Sequence, residues 1–275
     1  FEDVKAPGKL LKNGRIDYKE IDTVKKVKKN QLIAIKHYAT DGTPGMDLRG
    51  NITPAEKGED KNFVPVNNVK LVSKSTKDLY YSTIEGCVTL VGDSGISVNK
   101  VYNITGNVDF NTGNINFNGS VDIKGSVVSG FKVKAKGDIN IMGMVNQGAE
   151  IEAGGNINIK QGVVGRENTK LTAKGSVFAQ YIQNSIVEAK SDVVVKDYIM
   201  SSLIKTGGSV ITPDKETKAK SKGSIMGGEI IAKKSVIANS IGSEYTQNTR
   251  IIVGLDYESN RKFDNFRKSL EYCDL

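Results

Sequence analysis

A seven-residue pattern occurs six times between Val133 and Ala238, and it constrains the fold more than any other feature of this 275-residue chain. Each copy begins and ends with an aliphatic residue and carries a small residue at its third position. The copies begin at Val133, Ile151, Leu171, Val187, Ile204 and Ile230. Successive starts are 18, 20, 16, 17 and 26 residues apart. Repeats at this period are typical of a solenoid, in which each copy buries its apolar face only by stacking on its neighbours.

Strand alternation assigns the residues of each copy to the inside or the outside of the coil. If Val133 points inward, every second residue through Ile141 does so too. A narrow corner explains the third column, which reads Ala135, Ala153, Ala173, Ala189, Thr206 and Ala232. The fifth column predicts a bend and reads Gly137, Gly155, Gly175, Ser191, Gly208 and Lys234. Ser191 and Lys234 depart from the glycine pattern.

A third apolar position follows the copies and gives each turn a third face. Its members are Val145, Val163, Ile182, Ile199 and Ile241. Turns of three short strands predict an all-β fold, a parallel β-helix, and the lack of a strict six-residue count favours a right-handed coil. The widest spacing predicts a surface loop at Thr212–Lys222 with about eight extra residues.

Residues 1–100 differ from the repeats in their sequence pattern, which predicts a small β-rich domain. Apolar runs such as Leu32–Ile35 and Val64–Val72 alternate with turn sequences, of which Asp41-Gly-Thr-Pro-Gly45 is the strongest. Residues 101–132 carry looser copies of the form apolar-x-Gly-x-apolar. The β-helix is therefore predicted over residues 101–254.

From Leu255 the apolar spacing becomes helical. Phe263, Phe266, Leu270 and Cys273 are three, four and three residues apart, as in the seam of a coiled coil. Two heptads do not establish a coiled coil, and a short helix that covers the open sheet edge is an equally good interpretation. Residues 255–275 are predicted to begin a helix or coiled coil that is truncated in this sequence.

Composition narrows the classes of partner and compartment. The net charge of +8 would suit an anionic surface. No stacking aromatics accompany the basic residues, so we expect no nucleic-acid partner, and a membrane surface has weak support. Cys87 and Cys273 set no disulfide framework and no metal-ligand spacing, which predicts reduced thiols in the cytoplasm. No apolar run reaches the roughly 20 residues that span a bilayer.

The outward ladders of the coil lack the spacing of a catalytic pair. The position after the bend reads Asp138, Asn156, Ser176, Asp192, Ser209 and Ser235. Asp138 and Asp192 are three turns apart, about 14 Å, whereas glycosidase carboxylates lie about 5–9.5 Å apart. Glu152 and Glu188 are two turns apart, and His37 is the only histidine. We therefore expect no catalytic residue, no cofactor and no metal site.

Lysines and the C-terminal apolar residues are the candidate interaction surface. One outward column predicts a basic stripe that could bind an acidic partner, and it contains Lys136, Lys174, Lys190 and Lys233. The predicted loop adds Lys218, Lys220 and Lys222, and the predicted helix adds Phe263, Phe266 and Leu270. The alternative interpretation of the stripe is that like charges keep the sheet faces soluble and apart.

Three segments together resemble the flagellar assembly protein A family. They are Gly42-Thr-Pro-Gly45, the run Ile104-x-Gly-Asn-Val-Asp-Phe-x-Thr-Gly-Asn-Ile-x-Phe-x-Gly119, and the repeated x-Ala-x-Gly-x-Ile turns. The resemblance covers nearly the whole chain. It implies a β-helix followed by a long helical hairpin, in a bacterial cytoplasmic protein associated with flagella, polar positioning or signalling. It brings no catalytic residues with it.

Together these features predict a non-enzymatic scaffold or regulatory protein that binds protein partners or itself, for instance as a dimer through the C-terminal helix. It would lie in the cytoplasm, at the pole or at the membrane periphery. Two alternatives stay open. One is a cytoskeletal protein that polymerises through the open edges of its β-helix, and the other is a carbohydrate-active β-helix enzyme or binder.

Overall fold

The computed structural model describes residues 8–10, 14–21, 24–166, 168–212, 223–244 and 248–255. Within these residues every regular element is a β-strand, and no helix that could cross a membrane is found there. The chain divides into two compact units, Lys25–Val101 and Phe1–Val24 with Tyr102–Leu275. The first 24 residues therefore group with the repeats, whereas the sequence placed them in a domain over residues 1–100. The predicted helix over residues 255–275 lies outside the described residues, apart from Leu255.

The N-terminal residues form a small antiparallel ribbon. Its strands are β1 (Lys9–Leu10) and β2 (Ile16–Asp17). The segment that follows β2 contacts the repeats, because the backbone N–H of Asn114 donates to the carbonyl of Lys19 at 2.6 Å. The Lys19 ammonium donates to the carbonyl of Gly130 at 2.9 Å and lies over the ring of Phe131. These contacts explain why residues before Val24 belong to the larger unit.

The Lys25–Val101 unit consists of short strands in three small sheets. They are β3 (Lys26–Val27), β4 (Leu32–His37), β5 (Gly45–Met46), β6 (Ile52–Thr53), β7 (Val64–Pro65), β8 (Val69–Lys74), β9 (Lys77–Ser82), β10 (Gly86–Val91) and β11 (Gly95–Asn99). Their orders are β4-β9-β8, β3-β10-β11-β7 and β5-β6. Tyr80 is fully buried, and its hydroxyl donates to the carbonyl of Phe63 at 2.7 Å.

The repeats form one parallel sheet that coils into a solenoid. Its strands are β12 (Val101–Ile104), β13 (Ile115–Phe117), β14 (Ser120–Ile123), β15 (Lys132–Ala135), β16 (Ile139–Ile141), β17 (Glu150–Ala153), β18 (Ile157–Ile159), β19 (Gly162–Val164), β20 (Lys170–Ala173), β21 (Val177–Gln183), β22 (Ile186–Ala189), β23 (Val193–Thr206), β24 (Val210–Thr212), β25 (Ser224–Ala232), β26 (Val236–Ala238), β27 (Ser240–Ile241) and β28 (Thr249–Val253). The predicted parallel β-solenoid is thereby confirmed.

Three ladders of aliphatic residues run through the solenoid, one for each face of its turns. Face A stacks Ile115, Val133, Ile151, Leu171, Val187, Ile204, Ile230 and Ile251. Face B stacks Val121, Ile139, Ile157, Val177, Val193, Val210 and Val236. Face C stacks Val108, Val127, Val145, Val163, Ile182, Ile199, Ile225 and Ile241. The eight members of face A correspond to about eight turns.

Face C corrects two details of the sequence prediction. Ile225, which the repeat count passed over, is a buried member of the ladder. Ile241 has the predicted register, but it is 55% exposed because it belongs to the last turn. The extra residues of the long turn lie between face B and face C, and Thr212 and Gly223 on either side of residues 213–222 are hydrogen-bonded at 3.1 Å.

The small-residue column is buried as the sequence predicted. Ala135, Ala153, Ala173, Ala189, Thr206 and Ala232 are each at most 4% exposed. Thr206 is the one polar member. Its hydroxyl donates to the carbonyl of Ser191 and accepts the backbone N–H of Gly208 at 3.1 Å. The corner therefore accepts a hydroxyl because both of its hydrogen-bonding functions are satisfied.

Outer surfaces of the solenoid as candidate interaction sites

The polar column after the bend, which we call the corner ladder, ties successive turns together. Its members are Ser120, Asp138, Asn156, Ser176, Asp192, Ser209 and Ser235. A carboxylate oxygen of Asp138 accepts the backbone N–H of Asn156 at 2.7 Å, and the amide oxygen of Asn156 accepts that of Ser176 at 2.8 Å. Asp192 accepts the N–H of Ser209 at 2.7 Å in the same way. These acceptors satisfy backbone donors at a corner, which gives both carboxylates a structural role.

The corner ladder also explains the glycine column, which the sequence analysis attributed to a bend. A Cβ atom at Gly155 would lie 2.1 Å from Oδ1 of Asp138, and one at Gly175 would lie 2.3 Å from Oδ1 of Asn156. None of the column's glycines has a positive φ. Close approach, rather than backbone conformation, therefore requires glycine. The two departures, Ser191 and Lys234, come one turn after Ser176 and Ser209, whose side chains are shorter. Glycine also follows a serine once, because a Cβ atom at Gly137 would lie 2.4 Å from Oγ of Ser120.

The outer surface of face A is a lattice of opposite charges. Lys132 pairs with Glu150 at 2.9 Å, and Lys134 pairs with Glu152 at 2.8 Å. Farther along, Lys170 pairs with Glu188 at 3.1 Å and Arg250 pairs with Glu229 at 3.3 Å. Such exposed pairs add little stability, but they occupy the carboxylates. Thr172 lies between Glu152 and Glu188 in this column, so the two carboxylates are two turns apart, as predicted. Each forms an ion pair with a different lysine.

The predicted basic stripe lies at the corner between face A and face B. Lys136, Lys174, Lys190 and Lys233 are all exposed there. Gly154 and Gly207 interrupt the stripe, and a Cβ atom at either would lie 2.5 Å or less from the backbone oxygen of Lys136 or Lys190. The stacking of turns therefore limits how many lysines this column can hold. Whether the stripe binds an acidic partner stays a prediction.

The outer surface of face C carries no charged side chain along the turns from Met144 to Gly242. Two columns of residues point outward, one on each side of the aliphatic ladder. The first column is Met144, Gly162, Tyr181, Tyr198, Ser224 and Ser240. The second column is Asn146, Val164, Gln183, Met200, Met226 and Gly242. Tyr181 and Tyr198 stack with ring centroids 5.4 Å apart, and the hydroxyl of Tyr181 donates to the sulfur of Met144 at 3.8 Å. Burial raises the pKa of Tyr198 above its ordinary value. This surface is uncharged, half-buried and rich in Met and Tyr.

Face B has an outer surface of two halves. Its early turns carry an amide ladder, in which Asn140 donates to Asp122 and Asn158 donates to Asn140, each at 2.7 Å. Its later turns carry the apolar residues Phe178, Val194, Ile211 and Ile237 in register.

A groove of about 470 Å³ lies where the two halves of face B meet. A larger open groove of about 1,040 Å³ lies at the corner between face C and face A, and among the described residues its only charged lining side chain is Arg166.

The smaller unit offers no catalytic constellation within the described residues. His37 is exposed at the end of β4, and Cys87 is a buried free thiol whose pKa is raised by burial. A raised pKa makes the thiol a poor nucleophile. No group of His, Cys, Asp or Glu that could hold a metal ion occurs among the residues that the structure describes.

Six predicted interaction residues lie outside the described residues. They are Lys218, Lys220 and Lys222 of the predicted loop, and Phe263, Phe266 and Leu270 of the predicted helix. The structure thus brings four of the ten candidates together in one column. Face C is the surface that sequence reasoning missed, although its uncharged positions alternate with the aliphatic residues that predicted the third face.

The fold and its surfaces define a parallel β-solenoid protein in which the polar corner residues serve the stacking of turns. Comparison with known families gives a closer assignment. The chain matches the Flagellar Assembly Protein A beta solenoid domain over residues 100–274 and the Flagellar Assembly Protein A N-terminal region over residues 2–93. The chain therefore belongs to the flagellar assembly protein A family, and the resemblance seen in the sequence is confirmed. No curated protein and no solved structure matches it.

Proposed function

We propose that this protein is a non-enzymatic scaffold in flagellar assembly that binds a protein partner through the outer surface of face C. Membership of the flagellar assembly protein A family supports the flagellar link and a non-enzymatic role. The uncharged surface around Tyr181, Tyr198 and Met200 is the observation that carries the proposal. Buried interface cores are depleted of charge and enriched in Tyr and Met, and face C has this composition.

The backbone beneath face C suits it for recognition. Each of its strands is hydrogen-bonded on both sides through most of the stack, so the outward side chains are held at fixed spacing. A preorganised surface loses little conformational entropy on binding. Two outward columns, about 7 Å apart along the strand, form a strip about one helix wide. An apolar helix or strand of a partner protein would fit this strip.

A single charge on face C tests the proposal. We expect Met200→Lys to abolish capture of a partner from cells that express the protein, because a lysine in an apolar contact must be desolvated without a counter-charge. The matched control is Thr172→Lys on the outer surface of face A, which should leave capture unchanged. Equal capture by both variants, with circular dichroism showing both folded, would refute face C as the binding surface.

The basic stripe is a second proposed surface, for an acidic partner. Its support is that Lys136, Lys174, Lys190 and Lys233 are exposed in one column. Lys218, Lys220 and Lys222 lie in the chain between face B and face C and would offer a separate basic contact. Binding through the stripe should weaken steeply with added salt, whereas binding through face C should not. A salt titration of the captured complex therefore separates the two surfaces.

The proposal also includes a right-handed coil, a helix beginning near Leu255, a dimer formed through that helix, and a cytoplasmic location at the pole or membrane periphery. The carbohydrate-active alternative has less support, because Asp138 and Asp192 accept backbone hydrogen bonds within the stack. A screen of acidic and neutral polysaccharides tests it, and cleavage that disappears on Asp138→Ala would establish it over the scaffold.

A further inference from the structure

The outward column of face B changes from polar to apolar at Phe178, which follows the amide of Asn158 in register. The four residues from Phe178 onward, which we call the apolar column, are Phe178, Val194, Ile211 and Ile237. Phe178 is 41% exposed and Ile237 is 49% exposed. At the strand spacing of the solenoid the apolar column is about 14 Å long. The later turns thus present apolar side chains to solvent in a straight line.

Lysines lie on both sides of the apolar column. On the side of face C, Lys160 and Lys196 line the same groove as Phe178 and Val194. Lys196 follows Val194 by two residues of one strand, a distance of about 7 Å. On the side of face A, the corner carries four exposed lysines, Lys174, Lys190, Lys233 and Lys234. The apolar column is therefore bordered by positive charge along both of its long sides.

The carboxylates of these turns do not cancel this charge. Asp192 accepts the backbone N–H of Ser209 at 2.7 Å, and Asp197 accepts the side-chain amide of Gln180 at 2.9 Å. Among the described residues of face B and its two corners from Asn158 onward, six lysines and two aspartates leave a net charge of +4. An anionic partner is therefore complementary to this surface.

The kind of cation favours a lipid partner over a protein partner. Every cationic side chain among the described residues of this surface is a lysine, and none is an arginine. Protein interfaces are enriched in arginine and depleted in lysine, because the guanidinium group forms oriented ion pairs with carboxylates. A lysine can lay its aliphatic stem along apolar surface and extend its ammonium group to a phosphate. Apolar side chains bordered by lysines are typical of surfaces that bind anionic bilayers.

We propose that the later turns of face B bind the surface of an anionic phospholipid bilayer. Phe178 and Ile237 would enter the headgroup region, while Lys160, Lys196 and the corner lysines contact lipid phosphates. The inference rests on the proposed binding role of the basic stripe and names its partner. It does not depend on face C, whose protein partner binds a different surface.

Cosedimentation of the full chain with phospholipid vesicles tests the inference. We expect binding to vesicles of equal parts phosphatidylglycerol and phosphatidylcholine, and no binding to vesicles of phosphatidylcholine alone. The variant Phe178→Ser, Ile237→Ser should bind the anionic vesicles about tenfold more weakly, because it loses the apolar contact. The matched control is Met46→Ser with Leu48→Ser, which removes two exposed apolar residues of the smaller unit and should bind as the unaltered chain does.

A second pair of variants tests the position of the charge. Lys160→Gln with Lys196→Gln should weaken binding to the anionic vesicles about tenfold or more. Lys134→Gln with Lys170→Gln removes the same net charge from the outer surface of face A and should have little effect. Circular dichroism shows whether all four variants keep the fold of the unaltered chain.

Three results would overturn the inference. They are no binding to anionic vesicles, equal losses in the two lysine variants, and full binding by the Phe178→Ser, Ile237→Ser variant. Salt-sensitive capture of an acidic protein through the stripe, with no vesicle binding, would likewise overturn the lipid inference, although it would leave the proposed function of the stripe intact. Vesicle binding that follows both variant pairs as expected would support the inference whether or not a protein partner is captured.

Discussion

At the scale of single residues, the corner ladder and the glycine column are two halves of one contact. An Asp or Asn that reaches across to the next turn needs a residue without a Cβ atom there. Serine is shorter, and Ser176 and Ser209 are followed one turn later by Ser191 and Lys234. Three of the column's four glycines follow an Asp or Asn, and the fourth, Gly137, follows Ser120. The contact links residues about 18 positions apart, which is why the column of glycines could be read from the sequence but its cause could not.

Substitution of Gly155 by alanine should destabilise the solenoid. The added Cβ would lie 2.1 Å from Oδ1 of Asp138, so the carboxylate must move and lose its hydrogen bond to the backbone N–H of Asn156. We expect a loss of about 1–3 kcal/mol in the free energy of unfolding, measured by urea denaturation. Gly106→Ala is the control, because a Cβ there meets nothing within 4 Å.

A compensating substitution distinguishes this contact from a general need for glycine. In the double variant Asp138→Ala, Gly155→Ala the carboxylate that would clash with the new Cβ is absent. We expect the double variant to be more stable than the sum of the two single changes predicts. Strict additivity in the same urea measurements would show that the bend, not the corner ladder, requires glycine.

At the scale of elements, the sheet β4-β9-β8 contains a polar contact that responds to pH. The hydroxyls of Ser73 and Tyr38 donate to the carboxylate of Asp78 and lower its pKa below the ordinary value of 3.8. The oxygens of Tyr38 and Asp78 are 2.7 Å apart. A lowered pKa contributes stability that is complete above the unfolded value and is lost as the pH falls through the folded value. This contact thus favours the folded unit at neutral pH.

The smaller unit should therefore lose stability as the pH falls below about 4, and Asp78→Asn should flatten that dependence. Near-ultraviolet circular dichroism of the tyrosines, followed through urea titrations at several pH values, measures it. Asp93→Asn removes a carboxylate from an exposed turn of the same unit and is the control. If the Asp78→Asn variant keeps the pH dependence of the unaltered chain, other carboxylates are responsible.

The long turn should tolerate complete removal of its extra residues. Val210 of face B and Ile225 of face C are fifteen positions apart, whereas Val177 and Ile182 are five apart. Joining Thr212 directly to Gly223 restores a spacing of five, and these two residues are already hydrogen-bonded. Deleting residues 213–222 should change the free energy of unfolding by less than about 1 kcal/mol in a urea titration.

The same deletion removes Lys218, Lys220 and Lys222, so it also tests the loop as a binding element. Affinity for an acidic partner should fall if these loop lysines bind that partner. A control that keeps the loop but replaces these lysines by glutamine should reproduce the loss. A deletion that unfolds face C would instead show that the loop is part of the stack.

Most features of the solenoid strands could be predicted from the sequence. Alternation and the 16–20-residue period predicted three strands per turn and the buried alanine column. Ile225 was missed because the loop displaced it from the expected spacing after Val210. The uncharged surface of face C was missed because an absence of charge becomes visible only when the turns are aligned in three dimensions.

At the scale of the whole molecule, the state of the solenoid's ends decides between a discrete particle and a polymer. Stacking end to end requires an open edge at both ends. The first turn already buries Ile104, Val108 and Ile115 to at most 5% exposure, so its core is covered. Among the described residues the last turn is less covered, because Ile241 and Val253 are 55% and 51% exposed. One open end allows at most a closed pairing of two copies, because a filament needs two different free ends.

The full chain should therefore form a particle of fixed size. We expect light scattering to give a mass that does not rise over a hundredfold range of concentration, and electron microscopy to show no rods. A variant that lacks residues 256–275 should also form at most a dimer, because the first turn keeps its core covered. Rods that lengthen with concentration would mean that the first turn opens to receive a last turn, and they would favour the cytoskeletal alternative.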